Sequence, residues 1–131
     1  MTKFVILLII ITKTDWKIIY YHGSNGREPI YDFIESLNPN AQAKVSNTFD
    51  LLLQFGIRLG LPHVKKVTNT DLWELRVLGG DNIRIFYVAS SGKKFLLLHG
   101  FIKKTKKTDK KELKIAVSRL KDFNQHNITK L

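Results

Sequence analysis

The sequence predicts an α+β fold with a mainly antiparallel sheet, and three observations support this. Apolar residues recur at helical spacing between residues 29 and 55 and again after residue 109. Short runs rich in β-branched and aromatic residues cluster between residues 72 and 102. Helices and strands are therefore segregated along the chain instead of alternating, which disfavours a parallel α/β sheet. The predicted element order is β-α-α-β-β-β-α.

Composition limits the possible partners. The chain has 131 residues, which suits one compact domain. Its 22 basic residues against 11 acidic ones give a net charge of +11, and the lysines are clustered. Such a charge favours a nucleic acid, an acidic membrane surface or an acidic protein as partner. The absence of cysteine excludes disulfides, thiolate metal sites and cysteine nucleophiles, and is compatible with a reducing cytosol.

The chain is divided into an N-terminal apolar extension or extra strand at residues 1–15, a domain at 16–123 and a tail at 124–131. The run Phe4–Ile11 contains eight apolar residues, fewer than the roughly 20 that span a membrane. No small-residue cleavage site follows it, so it does not resemble a signal peptide. It is either a buried strand or an extension from a start codon placed too early, and no membrane role is expected.

The first half of the domain contains a strand and two helices. Residues 16–21 form the predicted strand, which ends in a turn at residues 22–26. A short helix is predicted from Pro29 to Leu37. Asn38 is then placed to cap a longer helix that has Pro39 as its first residue. That helix should end at Gly56 or Gly60, and residues 61–67 form a connector that is partly extended.

Three strands follow, and the first two form a hairpin around Gly79-Gly80-Asp81. A three-residue loop places Arg76 opposite Arg84 and segregates apolar from charged side chains. A two-residue Gly-Gly turn would shift the pairing by one residue and is the less favoured alternative. The third strand covers residues 95–102.

An amphipathic helix completes the domain and should reach about Phe123. Asp109 and Glu112 have the spacing of a capping box at its start.

Basic side chains supply most of the candidate chemistry. Neither a metal-binding cluster nor a phosphate-binding glycine loop is present in the sequence, so no cofactor and no metal are expected. Ribonuclease chemistry without a metal needs a group that takes the 2′-hydroxyl proton, a group that protonates the leaving oxygen, and cations. A lysine acts as the base only if neighbouring cations or burial depress its pKa, and Lys103-Lys104 offers such neighbours. The candidate cations are Lys65, Lys66, Arg76, Arg84, Lys103, Lys104, Lys106 and Lys107.

Several of these residues have a purely structural interpretation. Arg76 and Arg84 with Glu74 between them form either a cross-strand ion-pair set or a phosphate site. Lys106 and Lys107 suit a solvated basic face. His99, in the middle of an apolar strand, suits a core histidine better than a catalytic one.

The ordered set of segments resembles the RelE/ParE superfamily of toxins, and within it the phage-derived HigB-type branch. The resemblance covers residues 16–123. The segments that carry it are Trp16-Lys-Ile-Ile-Tyr-Tyr21, Leu72-Trp-Glu-Leu-Arg76, Arg84-Ile-Phe-Tyr87, Leu98-His-Gly-Phe-Ile-Lys-Lys-Thr-Lys-Lys107 and the helix after Asp109. It implies a RelE-like fold, in which two N-terminal helices pack on a curved, mainly antiparallel sheet, with a C-terminal helix.

The resemblance also implies site residues. Arg76 matches the hairpin arginine that contacts the scissile phosphate, and Arg84 is expected beside it. Lys103 and Lys104 match the basic residues that stabilise the transition state. Lys65 and Lys66 resemble the RNA-binding pair of the connector, and Lys106 and Lys107 are expected to add RNA contacts. Some relatives place a catalytic tyrosine or histidine near the C-terminus, whereas this chain has lysines there, so the acid–base groups stay unassigned.

The implied function is that of a cytoplasmic type II toxin, an endoribonuclease that cleaves mRNA on the ribosome. Its implied inhibitor is an antitoxin, usually a helix-turn-helix protein encoded beside it. A gyrase-inhibiting toxin of the ParE kind and a non-catalytic nucleic-acid-binding module are the alternatives. The lysines after the last strand and the Arg76–Arg84 pair favour RNA cleavage over gyrase inhibition.

Overall fold

A computed structural model describes residues 15–107 and 109–129, so the predicted N-terminal segment lies outside the described residues apart from Asp15. Within these described residues the chain forms a five-stranded sheet and three α-helices, which confirms the predicted α+β class and RelE-like arrangement. The strands are β1 (Lys17–Tyr20), β2 (Val64–Lys66), β3 (Trp73–Val77), β4 (Ile83–Ser90) and β5 (Lys94–Ile102). The helices are α1 (Pro29–Glu35), α2 (Pro39–Phe55) and α3 (Lys110–Thr129), with a 3₁₀ turn at Gly56–Arg58.

The helix signals predicted for the first half are confirmed. Pro29 opens α1, and Pro39 opens α2. The Asn38 side chain caps α2 by accepting a hydrogen bond from the Ala41 N–H at 2.8 Å. Of the two glycines proposed for the end of this helix, Gly56 is correct, because it adopts a φ of +62° that other residues rarely tolerate.

The strand order in the sheet is β1-β5-β4-β3-β2. All pairs are antiparallel except β1 with β5, which are parallel. The connector contains one more strand than predicted, because Val64–Lys66 pairs with β3. With three residues this strand is too short to show an alternation of apolar and polar residues in the sequence. Its extended conformation is stabilised by pairing with β3.

The hairpin has the predicted three-residue register, with Arg76 opposite Arg84 and Glu74 opposite Phe86. Positive φ angles at Gly79 (122°), Gly80 (91°) and Asn82 (57°) make the tight reversal possible. Lys44 of α2 holds the turn, because its ammonium donates to the Gly79 carbonyl at 3.0 Å and to the Asp81 carboxylate at 2.8 Å. The hairpin is thus tied to the helical layer.

Both faces of the sheet carry a core. The helical hairpin α1–α2 covers the face predicted to be apolar, which includes Leu75, Ile85 and Tyr87. The opposite face carries a second core beneath α3, built on Phe86, Val88, Leu96 and Leu98. The same face carries Glu74, Arg76 and Arg84 on the β3–β4 hairpin.

An irregularity in the β4–β5 pairing shapes this second face. Phe86 pairs with His99, but the next residue, Tyr87, pairs with Leu97, so Leu98 is an extra residue in β5. A bulge of this kind places two successive side chains on the same face. Leu98 packs beneath α3, and His99 contacts that helix through Glu112.

Two predictions for the last helix were wrong. The helix continues past Phe123 to Thr129, so residues 124–129 are helical and do not form a tail. Asp109 caps the helix by accepting from the Lys111 N–H at 2.9 Å, but Glu112 does not complete a capping box. Glu112 binds the imidazole of His99, a partner that is remote in sequence and therefore invisible to a local motif.

Alanine in place of Gly100 is expected to lower the free energy of unfolding by about 1–3 kcal/mol, because its Cβ overpacks the core. That atom would lie 2.5 Å from Cδ2 of Phe33, whose ring packs against β5. Urea unfolding measures the difference. Gly60→Ala is the matched control, since nothing lies within 4 Å of its added Cβ. Equal stability of the two variants would contradict this account of the α1–β5 contact.

Candidate functional site

Three charged side chains form a cluster on the β3–β4 hairpin, on the sheet face that α3 partly covers. Glu74 Oε1 lies 2.9 Å from Arg84 Nε and 3.4 Å from Arg76 Nε. The side chains are 12% exposed for Glu74, 18% for Arg84 and 27% for Arg76. The cross-strand ion-pair set considered in the sequence analysis is therefore present, and the three residues are called the arginine–glutamate cluster below.

Ion pairing in the arginine–glutamate cluster leaves capacity for an anion. Both guanidinium groups approach Glu74 through Nε, and these buried atoms lack the alignment of good hydrogen bonds. A guanidinium carries five N–H donors, so pairing through Nε does not exhaust it. One further donor of Arg84 is used by the Ile83 carbonyl at 3.1 Å. The remaining terminal donors of two arginines suit the oxygens of a phosphate.

Strand β2 adds Lys65 to this face, and His63 directly precedes the strand. Lys65 pairs directly with Glu74, so its ammonium belongs to the same row of side chains. The Arg76 N–H donates to the His63 carbonyl at 2.7 Å, which continues the register and places His63 opposite Arg76. His63 is thus a diagonal cross-strand neighbour of Glu74. No local sequence pattern indicates a role for His63, because its position depends on the pairing of β2 with β3.

The lysines after β5 occupy two different positions. The Lys103 N–H donates to the Asn82 carbonyl at 2.8 Å, so Lys103 extends β5 next to the hairpin turn. Lys104, Lys106 and Lys107 are exposed in the segment between β5 and α3. Of these predicted residues, Lys103 is the one that backbone pairing places beside the start of β4, which carries Arg84.

Two other residues considered for the site lie on the opposite face of the sheet. Lys66 pairs with Trp73, and its ammonium lies 5.1 Å from the centre of the Trp73 ring. The predicted Lys65–Lys66 pair is therefore divided between the two faces. Tyr87 is buried in the core beneath the helical hairpin, and burial raises its pKa well above the ordinary value of 10.0. Tyr87 is therefore a core residue.

His99 connects the sheet to α3 through two polar contacts. Arg119 Nη1 lies 3.1 Å from His99 Nδ1, while His99 Nε2 contacts the Glu112 carboxylate. Because arginine can only donate, Nδ1 accepts, and the ring proton resides on Nε2 and is donated to Glu112. The imidazole also stacks on Phe101, with 5.7 Å between ring centres. His99 is therefore a satisfied structural histidine.

His99→Ala is expected to lower stability by about 1–3 kcal/mol, because Glu112 and Arg119 each lose a half-buried partner. Burial lowers the pKa of His99, although the Glu112 carboxylate opposes this by raising it. The unfolded chain therefore binds a proton near pH 6.5 more readily than the folded protein does. The stability that this histidine contributes is complete above that pH and falls as the pH decreases toward the lower folded pKa.

Urea unfolding at a series of pH values from about 5 to 8 tests this assignment. The wild type should lose stability across the acidic part of the range, and His99→Ala should lose less over the same interval. A variant that keeps its stability but loses the activity of the protein would instead make His99 a catalytic group.

The described residues contain neither a candidate metal-binding group nor a candidate membrane-spanning helix. Among residues 15–107 and 109–129, no group of histidine and carboxylate side chains is placed to hold a metal ion. No helix in the same residues has the length and apolar character needed to cross a membrane.

A helical hairpin on one face of a five-stranded sheet, with a C-terminal helix on the other, defines a RelE-like α+β protein. Residues 32–121 match the family described as "Phage derived protein Gp49-like (DUF891)". The match covers more than half of the chain, so the chain belongs to the phage-derived Gp49-like family, within the RelE-like group of toxin-like proteins. A search among curated proteins found no match.

Proposed function

We propose that this protein is the toxin of a type II toxin–antitoxin system, a HigB-type endoribonuclease that cleaves mRNA on the ribosome without a metal and so inhibits translation. The observation that carries the proposal is the arginine–glutamate cluster. It combines two phosphate-binding cations and a carboxylate within one half-buried patch. Membership of a family in the RelE-like toxin group supports the same function.

The proposed reaction is attack of a ribose 2′-hydroxyl on the adjacent phosphate. The oxygen–phosphorus bond forms as the proton leaves the hydroxyl, and the bond to the leaving 5′-oxygen breaks as that oxygen gains a proton. The products are a 2′,3′-cyclic phosphate and a 5′-hydroxyl. Arg76, Arg84 and Lys103 would neutralise the negative charge that develops on the phosphate oxygens.

Two residues near the two arginines are proposed as the base and the acid. We propose Glu74 as the proton acceptor, because its carboxylate is held between the two guanidinium groups that would bind the phosphate. A carboxylate needs no nearby cations to become a base, unlike the lysine considered before. His63, diagonal to Glu74 across the β2–β3 pair, is the proposed donor to the leaving oxygen.

The proposed partners follow from this reaction. The substrate is mRNA on the ribosome, with Lys65, Lys104, Lys106 and Lys107 contacting phosphates, and the protein acts in the cytoplasm. A cognate antitoxin, a helix-turn-helix protein encoded next to the toxin, would hold it inactive. Induction of the protein alone in bacteria should therefore arrest growth, and primer extension should show codon-phased cuts in mRNA.

That induction experiment separates the alternatives. Normal growth with soluble protein confirmed would contradict an active toxin. Growth arrest with intact mRNA and disturbed DNA supercoiling would instead support a gyrase inhibitor of the ParE kind. RNA binding without either effect would leave a nucleic-acid-binding module.

Binding of single-stranded RNA is expected to weaken steeply with salt, because phosphate contacts displace counterions. The logarithm of the affinity should fall with the logarithm of salt concentration, with a slope of about −0.7 for each phosphate contact. Lys106→Ala with Lys107→Ala should make the slope shallower by about one or two such contacts, whatever the RNA sequence. Fluorescence anisotropy over a salt series measures this, and a flat response would remove the electrostatic argument.

A further inference from the structure

An apolar groove lies on the sheet face opposite the arginine–glutamate cluster. Its walls come from the 3₁₀ turn and the segment after it, from β2 and from three further strands, and its volume is about 360 Å³. The residues that line it include Ile57, Leu59, Val64, Trp73, Tyr87 and Phe95.

Large apolar side chains at this groove are exposed to solvent. Ile57 is 70% exposed and Trp73 is 37% exposed, and both line the groove. Phe55 and Leu61, close to Ile57 in sequence, are 42% and 72% exposed. Contiguous exposed apolar surface on a small folded protein marks an interaction site more often than isolated apolar residues do.

Basic residues near the groove favour an occupant with acidic residues. Lys66 lies over the Trp73 ring, and Arg58 is exposed directly after Ile57. The whole chain has a net charge of +11. The lining combines aliphatic side chains with the rings of Trp73, Tyr87 and Phe95, and such a mixed apolar groove suits the apolar side chains of a protein segment.

We propose that this groove binds an acidic segment of a partner protein, whose apolar side chains enter the groove while its carboxylates face Arg58 and Lys66. Val64 and Trp73 alternate along their strands with Lys65 and Glu74, so the groove and the cluster lie on opposite faces of the same strands. The bound segment would leave the phosphate-binding face uncovered. Under the proposed function the antitoxin supplies this segment, and that identification alone rests on the proposed function.

Peptide binding tests the groove independently of toxicity. The full chain is used to select from two displayed peptide libraries, both rich in leucine, phenylalanine and tryptophan, one with acidic and one with basic residues. Acidic peptides should be enriched. Affinity of a selected peptide should fall about tenfold in Ile57→Ser and again in Arg58→Glu, because apolar burial and charge are lost.

Matched variants identify the surface involved. Val117→Ser on α3, where the side chain is 44% exposed, should not change the affinity, and neither should Arg76→Ala. Equal enrichment of basic peptides would overturn the proposal, as would an affinity that depends on Arg76 and not on Ile57. If a chain lacking residues 1–14 binds the peptide far more tightly, the N-terminal segment is the occupant of the groove. If the wild type self-associates through Ile57, a second copy of the chain is the occupant. Either result would overturn the proposal.

Rescue by the adjacent antitoxin gene separates this inference from the proposed function. Ile57→Ser with Arg58→Glu should remain toxic when induced alone but escape neutralisation by the antitoxin. Full neutralisation of this toxic variant would contradict antitoxin binding in the groove. If the wild type is not toxic, the proposed function fails, and the peptide measurements still decide whether the groove binds acidic segments.

Discussion

Arg84→Ala and Arg76→Ala are each expected to reduce mRNA cleavage about a hundred- to a thousand-fold, which would abolish growth arrest. Each variant loses one fixed cation at the place where the transition state gains negative charge, and one such group contributes about 2.7–4 kcal/mol. The joint change Lys103→Ala with Lys104→Ala should act in the same direction. Single-turnover cleavage of a ribosome-bound mRNA measures the loss.

The control for the arginine variants is Arg27→Ala, which removes an exposed guanidinium from the loop before α1 and should leave cleavage unchanged. Arg84→Lys keeps the charge but loses the planar fork, so it should recover only part of the activity. Circular dichroism and thermal unfolding establish that each variant is folded, because Glu74 loses an ion-pair partner in both arginine variants. Cleavage that survives the Arg76 and the Arg84 change would place the active groups elsewhere.

Glu74→Gln is expected to reduce cleavage about a hundred- to ten-thousand-fold, the range in which positioned proton-transfer groups contribute. Glutamine has the shape of glutamate and retains an oxygen that can accept from Arg84, but it cannot accept the 2′-hydroxyl proton. Binding of RNA should not weaken, since the patch becomes more positive.

A purely structural role of Glu74 predicts different results for the same variant. Glu74→Gln would then lose stability and RNA affinity together with cleavage. Glu28→Gln is the matched control, because this half-buried carboxylate belongs to the loop before α1 and contacts only His22 in the ion pair that the structure shows.

The local elements of this fold could be predicted because each has a short-range signal. The Asn38 cap, the proline at the start of each of the first two helices and the Gly79-Gly80-Asp81 loop act through neighbouring residues. The hairpin register could also be predicted from nearby residues, since segregation of apolar and charged side chains favours one pairing of β3 with β4. The placement of Arg76 opposite Arg84 could therefore be predicted from the sequence.

Two features could not be predicted because they depend on contacts between distant residues. Strand β2 is ordered by its pairing with β3, and Glu112 leaves the expected capping box for His99. The second core beneath α3 could also not be recognised from the sequence. The bulge at Leu98 places successive residues on one face, which breaks the alternation from which faces are assigned.

The sequence by itself determined the basic charge, the segregated α+β order and the arginine-bearing hairpin, because composition and periodicity are local properties of the chain. Only the tertiary structure decided which charged residues meet. It placed Glu74 between the two arginines, brought His63 and Lys65 to the same face through β2, and put Lys66 on the other face. The physical reason is that a site is made of side chains on different strands, and strand pairing between remote segments has no signature within any one of them.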